Sequence, residues 1–156
     1  MVAMASKREP DMSDDDVISM WGHVLEGTAR VNAAIETHLG EIFDVPTSWF
    51  EVLLRLHRTP GYQQPMTQLA NEVSFSSGGF TKLADRMEEA GYLARSSCPN
   101  DRRVTWIALT ELGTSTIRAA MKLHAQWLRD HVIQPIGHDS AVTLSTTMQT
   151  IRDSSL

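Results

Sequence analysis

Cysteine is nearly absent: the chain of 156 residues holds one, Cys98, which has no partner for an internal disulfide. No apolar run approaches the ~20 residues that a bilayer crossing requires. The opening stretch MVAMASKREPDMSDDD lacks the continuous apolar core of a secretory signal. Missing as well are Cys-x-x-Cys, His-Glu-x-x-His, Gly-x-Ser-x-Gly, a phosphate loop and a dinucleotide-binding fingerprint. From these absences we expect a cytoplasmic protein that is not an enzyme, with no catalytic residues, no metal site and no cofactor.

Net basic charge is lacking too. The formal charge of −5 argues at first against nucleic acid, because DNA binding draws on neutralised phosphates. The distribution reverses that argument. Residues 1–45 hold nine acidic groups against three basic ones (Lys7, Arg8, Arg30). Residues 76–109 hold five basic groups (Lys82, Arg86, Arg95, Arg102, Arg103) against four acidic ones, so the acidity resides elsewhere.

Apolar periodicity supplies the organisation. Ser13 followed by three aspartates suits a helix start, where a hydroxyl accepts backbone N–H bonds and carboxylates favour the positive end. Val17, Met20, Trp21, Val24, Leu25, Val31, Ala34, Ile35 and Leu39 then recur at three- and four-residue spacing, predicting a long amphipathic helix that closes near Gly40. Pro46-Thr47-Ser48 opens a second helix, stopped by Thr59-Pro60-Gly61. A short helix over 66–73 precedes another that starts at Ser76-Ser77 and runs to Gly91, a residue suited to the left-handed end of a helix.

Tyr92-Leu93-Ala94-Arg95 and Val104-Thr105-Trp106-Ile107-Ala108-Leu109 read as the two strands of a hairpin whose polar tip spans 96–103. Thr110-Glu111 has N-cap chemistry for a long helix ended by Pro135, and a last helix runs from about Asp139 to Arg152. The fold class is therefore mainly α (α+β). Its order is short helix, turn, helix, hairpin with an arginine-bearing tip, long helix, which is that of a winged helix-turn-helix.

A helix that reads a major groove needs small or polar side chains at its N-terminus, where bulk or negative charge would obstruct approach. Ser76, Ser77, Gly78, Gly79, Thr81 and Lys82 meet that demand, and Arg86 follows one turn later. Two adjacent glycines cost a free helix roughly 1 kcal/mol each relative to alanine, so they call for either a close helix packing or a close approach to a ligand. At the hairpin tip, Arg102 and Arg103 suit a minor groove or a phosphate pair, and Asp101 can hold an arginine through a charge-assisted bond. Read alone, the tip is more simply a solvated charge cluster.

Residues 65–113 resemble the DNA-binding core of the MarR (multiple antibiotic resistance regulator) family. The pieces are Leu69-Ala70, Ser76-Ser77, Lys82-Leu83-Ala84-Asp85-Arg86-Met87-Glu88, Gly91-Tyr92-Leu93, Asp101-Arg102-Arg103 and Leu109-Thr110-Glu111-Leu112-Gly113. Each is weak alone; their order is specific. The resemblance implies a sequence-specific DNA-binding transcription regulator, a homodimeric repressor released by a small-molecule effector. It makes Asp101 and Arg103 wing residues and turns Ser76, Ser77, Thr81, Lys82 and Arg86 toward the major groove; Arg95 joins the interface as a further cation. It implies a flexible arm over 1–13 and one domain over 14–156. Within that domain, 14–45 and 114–156 are long terminal dimerisation helices and 46–113 is the winged-helix lobe. The apolar stripes of the terminal helices exceed what one small winged helix can bury, which also suggests a dimer, and hence a pseudo-palindromic operator.

Relatives in this family respond to small aromatic acids or phenolic compounds. An aromatic-lined pocket with a cation suits such a ligand, and Trp21, His23, His38, Trp49, Arg55 and His57 are the candidates, although tryptophans on apolar stripes also serve as core. His124 and His131 share a helix face, but two ligands do not make a zinc site. Cys98 near Arg95, Arg102 and Arg103 could carry a lowered thiol pKa, the plainer reading being a surface cysteine. Alternatives are therefore a winged helix used for protein contact, or a metal- or redox-sensing regulator of the same fold.

Overall fold

The computed structural model describes residues 12–42, 46–73, 77–97, 101 and 103–154. Helix α1 (Asp14–Ile42) opens with a reciprocal cap. The Asp16 amide donates to Ser13 Oγ (3.2 Å), while the Ser13 amide and hydroxyl donate to Asp16 Oδ2 (3.2 and 2.7 Å). The Ser13 hydroxyl, then its amide, hold the Asp16 carboxyl below the usual carboxylate value. The helix closes at Ile42, near Gly40 as expected, with Gly40 itself helical rather than left-handed.

Two compact units divide within α1, between Thr37 and His38. In the first, Val17, Ile18, Met20, Trp21 and Leu25 are exposed despite their apolar character.

The second unit holds the remaining elements: α2 (Thr47–Arg58), a 3-10 turn (Pro60–Tyr62), β1 (Gln63–Pro65), α3 (Met66–Glu72), α4 (Ser77–Glu89), β2 (Leu93–Ser97), β3 (Thr105–Leu109), α5 (Glu111–Leu128), a π-helical turn (Arg129–Ile133), α6 (Gln134–Ile136) and α7 (His138–Asp153). Its core is built from Val52, Leu53 and Leu56 of α2, Leu69 of α3, Phe80 and Met87 of α4, Ile107 of β3 and Ile117 of α5, all essentially without solvent contact. Each such side chain contributes about 1.5–3 kcal/mol of burial. These residues come from every predicted apolar stripe between 47 and 120, so one core fixes both helices of the turn against the hairpin.

The sheet is antiparallel in the order β1-β3-β2, with Gln64 opposite Ile107 and Arg95 opposite Ile107 on the other side. Strand β1 is unannounced by the sequence: Gln-Gln-Pro has no strand propensity, and it is the pairing with β3 that extends it. Its buried Gln64 side chain donates to Glu72 Oε2 (3.1 Å), tying the strand to α3.

Pro135 does not end the C-terminal helix as expected. The Gln134 amide donates to the Arg129 carbonyl, a π-type bond, and Pro135 falls in the first turn of α6, where its missing N–H costs little. Gly137, at φ 83°, makes the break instead. No helix among the described residues is long and apolar enough to cross a membrane.

Candidate nucleic-acid interface

Helices α3 and α4 are the two helices of the helix-turn-helix. Phe80, Leu83, Ala84 and Met87 of α4 are buried, and this apolar stripe turns the opposite face, with Thr81, Lys82, Asp85 and Arg86, to solvent. Gly79 is exposed as well. Ser77 and Gly78 lie in the first turn of α4; Ser76 falls outside the described residues.

The C-terminus of α4 is closed by Gly91 at φ 83°. Its amide donates to the Glu88 carbonyl (2.9 Å) and that of Tyr92 to the Met87 carbonyl (2.9 Å), the paired bonds of a Schellman motif. This sharp reversal delivers the chain into β2. The far end of the hairpin is locked by Thr110, whose hydroxyl lies 2.7 Å from the Gly91 carbonyl and accepts from the Gly113 amide at 3.0 Å. The recognition helix and the wing are thus fastened to α5 at a single corner.

Near the tip, Asp101 and Arg103 are exposed, and Asp101 Oδ1 accepts from the Arg103 amide at 3.0 Å. The aspartate thereby shapes the turn through the backbone. Arg102 and Cys98 fall outside the described residues. A cleft of about 230 Å³ runs between the start of α3, the N-terminal half of α4 and the wing, with Met66, Ala70 and Phe80 among its lining and Thr81 and Arg103 both opening onto it. Thr81 and Arg103 therefore belong to one face, although 22 positions separate them in sequence.

Arg95 has intramolecular partners that its place in the sequence does not announce. Its guanidinium, grouped above with the DNA-facing cations, is bound to α4: Nη1 lies 2.5 Å from Asp85 Oδ1 and 3.2 Å from Glu88 Oε2, and Nη2 donates to the Thr81 carbonyl at 3.4 Å. The sequence held a signal for this. Asp85 and Glu88 put two carboxylates one turn apart on a helix otherwise suited to phosphates, and such a pair calls for a cation.

The effector candidates are distributed. Trp21 and His23 lie in the first unit, both exposed. In the second, His38 and Trp49 are buried, and His38 Nε2 and Trp49 Nε1 have no hydrogen-bond partner among the described residues. Trp49 meets Tyr92 edge-on (5.4 Å), His57 stacks on Tyr62 (5.2 Å) and Arg55 is exposed. None of the six lines the cleft beside Arg103. His131 Nδ1 lies 3.0 Å from the Trp127 carbonyl, within its own helical stretch.

A helix-turn-helix whose second helix shares a cleft with a cationic hairpin defines a winged-helix DNA-binding protein. The chain belongs to the MarR family and is a DNA-binding transcriptional regulator. A MarR-family profile matches residues 43–104. An uncharacterized HTH-type transcriptional regulator of Bacillus cereus is 33% identical over 113 residues, covering 70% of this chain and 71% of the relative. AbsC, a MarR family transcriptional regulator from Streptomyces coelicolor, superposes with a TM-score of 0.79 at 25% identity, covering 93% of this chain and 97% of AbsC. Sco3205 of the same organism, solved in complex with DNA, shares the fold (TM-score 0.79, 19% identity, 95% of this chain and 92% of that one).

Proposed function

We propose that this regulator is a cytoplasmic homodimeric repressor that binds a pseudo-palindromic operator and is released by a small aromatic or phenolic effector. The observation that carries the DNA reading is the common cleft of Thr81 and Arg103. It supports a single face in which Ser76, Ser77, Gly78, Gly79, Thr81, Lys82 and Arg86 enter the major groove while Arg102 and Arg103, with Asp101 shaping the turn, reach a minor groove or phosphates. The protein has no catalytic role in this reading.

A second copy is the occupant proposed for the exposed apolar side chains of the terminal helices: Ile18, Trp21 and Leu25 of α1 and Val142 and Leu144 of α7. Apolar surface of this kind left in water favours association. Two copies related by a two-fold axis present two recognition helices, so half-sites about one helical turn apart are expected. The domain boundaries proposed are an arm over 1–13, the lobe over 46–113 and dimerisation helices over 14–45 and 114–156.

The effector reading rests on the family resemblance. It is supported by the unpartnered buried nitrogens of His38 and Trp49, since a polar atom buried without a partner is costly and a ligand could satisfy it. Release requires an effector that binds the DNA-incompetent arrangement more tightly than the competent one.

Selection of bound duplexes from a random pool at low salt, in parallel with Arg103→Ala, tests the proposal. Enrichment of a two-fold symmetric site by the wild-type protein, weakened in the variant, is the expected result. No enrichment and no salt-dependent retention would defeat it in favour of a protein-contact module.

A further inference from the structure

We propose that Arg95 is a positioning residue of the DNA interface: from the wing it grips the recognition helix and sets the place of Arg103. The inference rests on the proposed DNA contact of Arg103 and adds a residue that touches no DNA.

Three acceptors on α4 meet this one guanidinium. They belong to Thr81 (carbonyl, 3.4 Å), Asp85 (2.5 Å) and Glu88 (3.2 Å), spaced by four and three residues and so forming one stripe over two turns. The main chain joins in, since the Arg95 amide donates to Glu88 Oε1 at 3.1 Å. A planar fork with five donors can span several acceptors at once, whereas a lysine ammonium is a point charge. Arg95 is also the least exposed partner of the group, at 24% of its side-chain surface against 54% for Asp85 and 37% for Glu88.

Position turns this clamp into a lever on the wing. Arg95 stands at the centre of β2, paired with Ile107, which is fully buried. The β2–β3 ladder runs from Leu93–Leu109 out to Ser97–Thr105, and Arg103 lies two residues beyond that last pair. Thr81 joins the two ends: its carbonyl accepts from Arg95, and the residue lines the cleft onto which Arg103 opens. The clamp also acts on charge. Two carboxylates on a helix facing phosphates repel them, and a shared guanidinium offsets that repulsion.

Exposed ion pairs add little to folding stability, so the effect belongs in DNA affinity and in its coupling to Arg103. The experiment is a double-mutant cycle by fluorescence anisotropy, on a duplex that the wild-type protein enriches from a random pool, with wild type, Arg95→Met, Arg103→Ala and the double variant. Thermal melts accompany each. Arg103→Ala is expected to weaken binding on the order of tenfold, and Arg95→Met to weaken it several-fold. In the Arg95→Met background, the Arg103→Ala loss is expected to shrink to roughly twofold, because a mispositioned arginine has little to lose.

Losses that simply multiply would overturn the proposal, as would an Arg95→Met protein with full affinity. Arg95→Lys keeps the charge without the fork and is expected to retain most of the defect; wild-type affinity with lysine would overturn the gripping role. Should Arg95→Met fail to fold, Arg95→Lys runs the same cycle. If no duplex is enriched at all, it is the DNA-binding reading that fails, which separates the two outcomes.

Discussion

The imidazole of His38, near the C-terminus of α1, stacks on the indole of Trp127 in α5, with ring centroids 4.9 Å apart and planes 16° from parallel. His124 lies 5.8 Å from His38, also stacked, and Phe50 of α2 meets His124 edge-on at 5.3 Å. His131 stacks on the other neighbour, Trp127, at 4.9 Å. Within this cluster His38 Nε2 and His124 Nδ1 are buried without hydrogen-bond partners among the described residues.

Burial pushes both imidazoles below the ordinary histidine value; Glu41 opposes the shift at His38, while His131 adds to it there and His38 adds to it at His124. A histidine depressed in this way stays neutral in the fold and takes up a proton in the unfolded chain. Its stability contribution is full above the ordinary histidine value and is lost as pH falls below it. We therefore expect the melting temperature to drop between about pH 7 and pH 5, with His124→Phe flattening the dependence. An unchanged pH profile in the variant would remove the cluster from the account.

Gly113 sits where the corner of Tyr92, Thr110 and α5 closes. A Cβ there would collide with the Tyr92 carbonyl oxygen and press on Leu109 Cδ2 at 3.3 Å. Gly113→Ala is expected to destabilise the fold by about 1–3 kcal/mol, read as a lower urea midpoint. Thr110→Val keeps the shape and removes the cap to Gly113, and a loss of about 1 kcal/mol is expected.

Lys82 and Arg86 are exposed on α4 and make no ion pair among those described. If each contacts a phosphate, alanine at either position lowers the salt slope of DNA binding by about one and weakens all sequences alike. Loss of base preference at one operator position, with the slope unchanged, would instead assign that side chain to base reading.

Ile18 is 71% exposed in the first unit. Placing a charge in a dimer interface is unfavourable, so Ile18→Glu is expected to shift the protein from dimer to monomer by light scattering while its helical circular dichroism persists. A variant that stays dimeric would move the interface away from this face of α1.

Much of the interface is written in consecutive residues. The helix stripes, the Ser13 and Thr110 caps, the left-handed Gly91 and a strand pair expected at 92–95 and 104–109 follow from local chemistry, and the structure contains each of them, with the strands at Leu93–Ser97 and Thr105–Leu109, so that Ser96 and Ser97 of the expected tip pair with β3. Exposed Thr81, Lys82 and Arg86 follow equally, because burying Phe80, Leu83 and Met87 leaves them no other face. Their contacts with DNA stand as proposals.

Tertiary structure decided what depends on residues distant in the chain. Strand β1 exists because β3 offers it hydrogen bonds, and Pro135 is accommodated because a π-type turn precedes it. The partner of Arg95 could not be read from its neighbours: a guanidinium binds whichever acceptors surround it, and only the packing of β2 against α4 places Asp85 and Glu88 there. The same holds for His38, His124 and Trp127, which stand 86 and 3 positions apart and whose rings meet only in the folded second unit. Periodicity is set by local backbone geometry and is legible in sequence; which charges and rings finally touch is set by long-range packing.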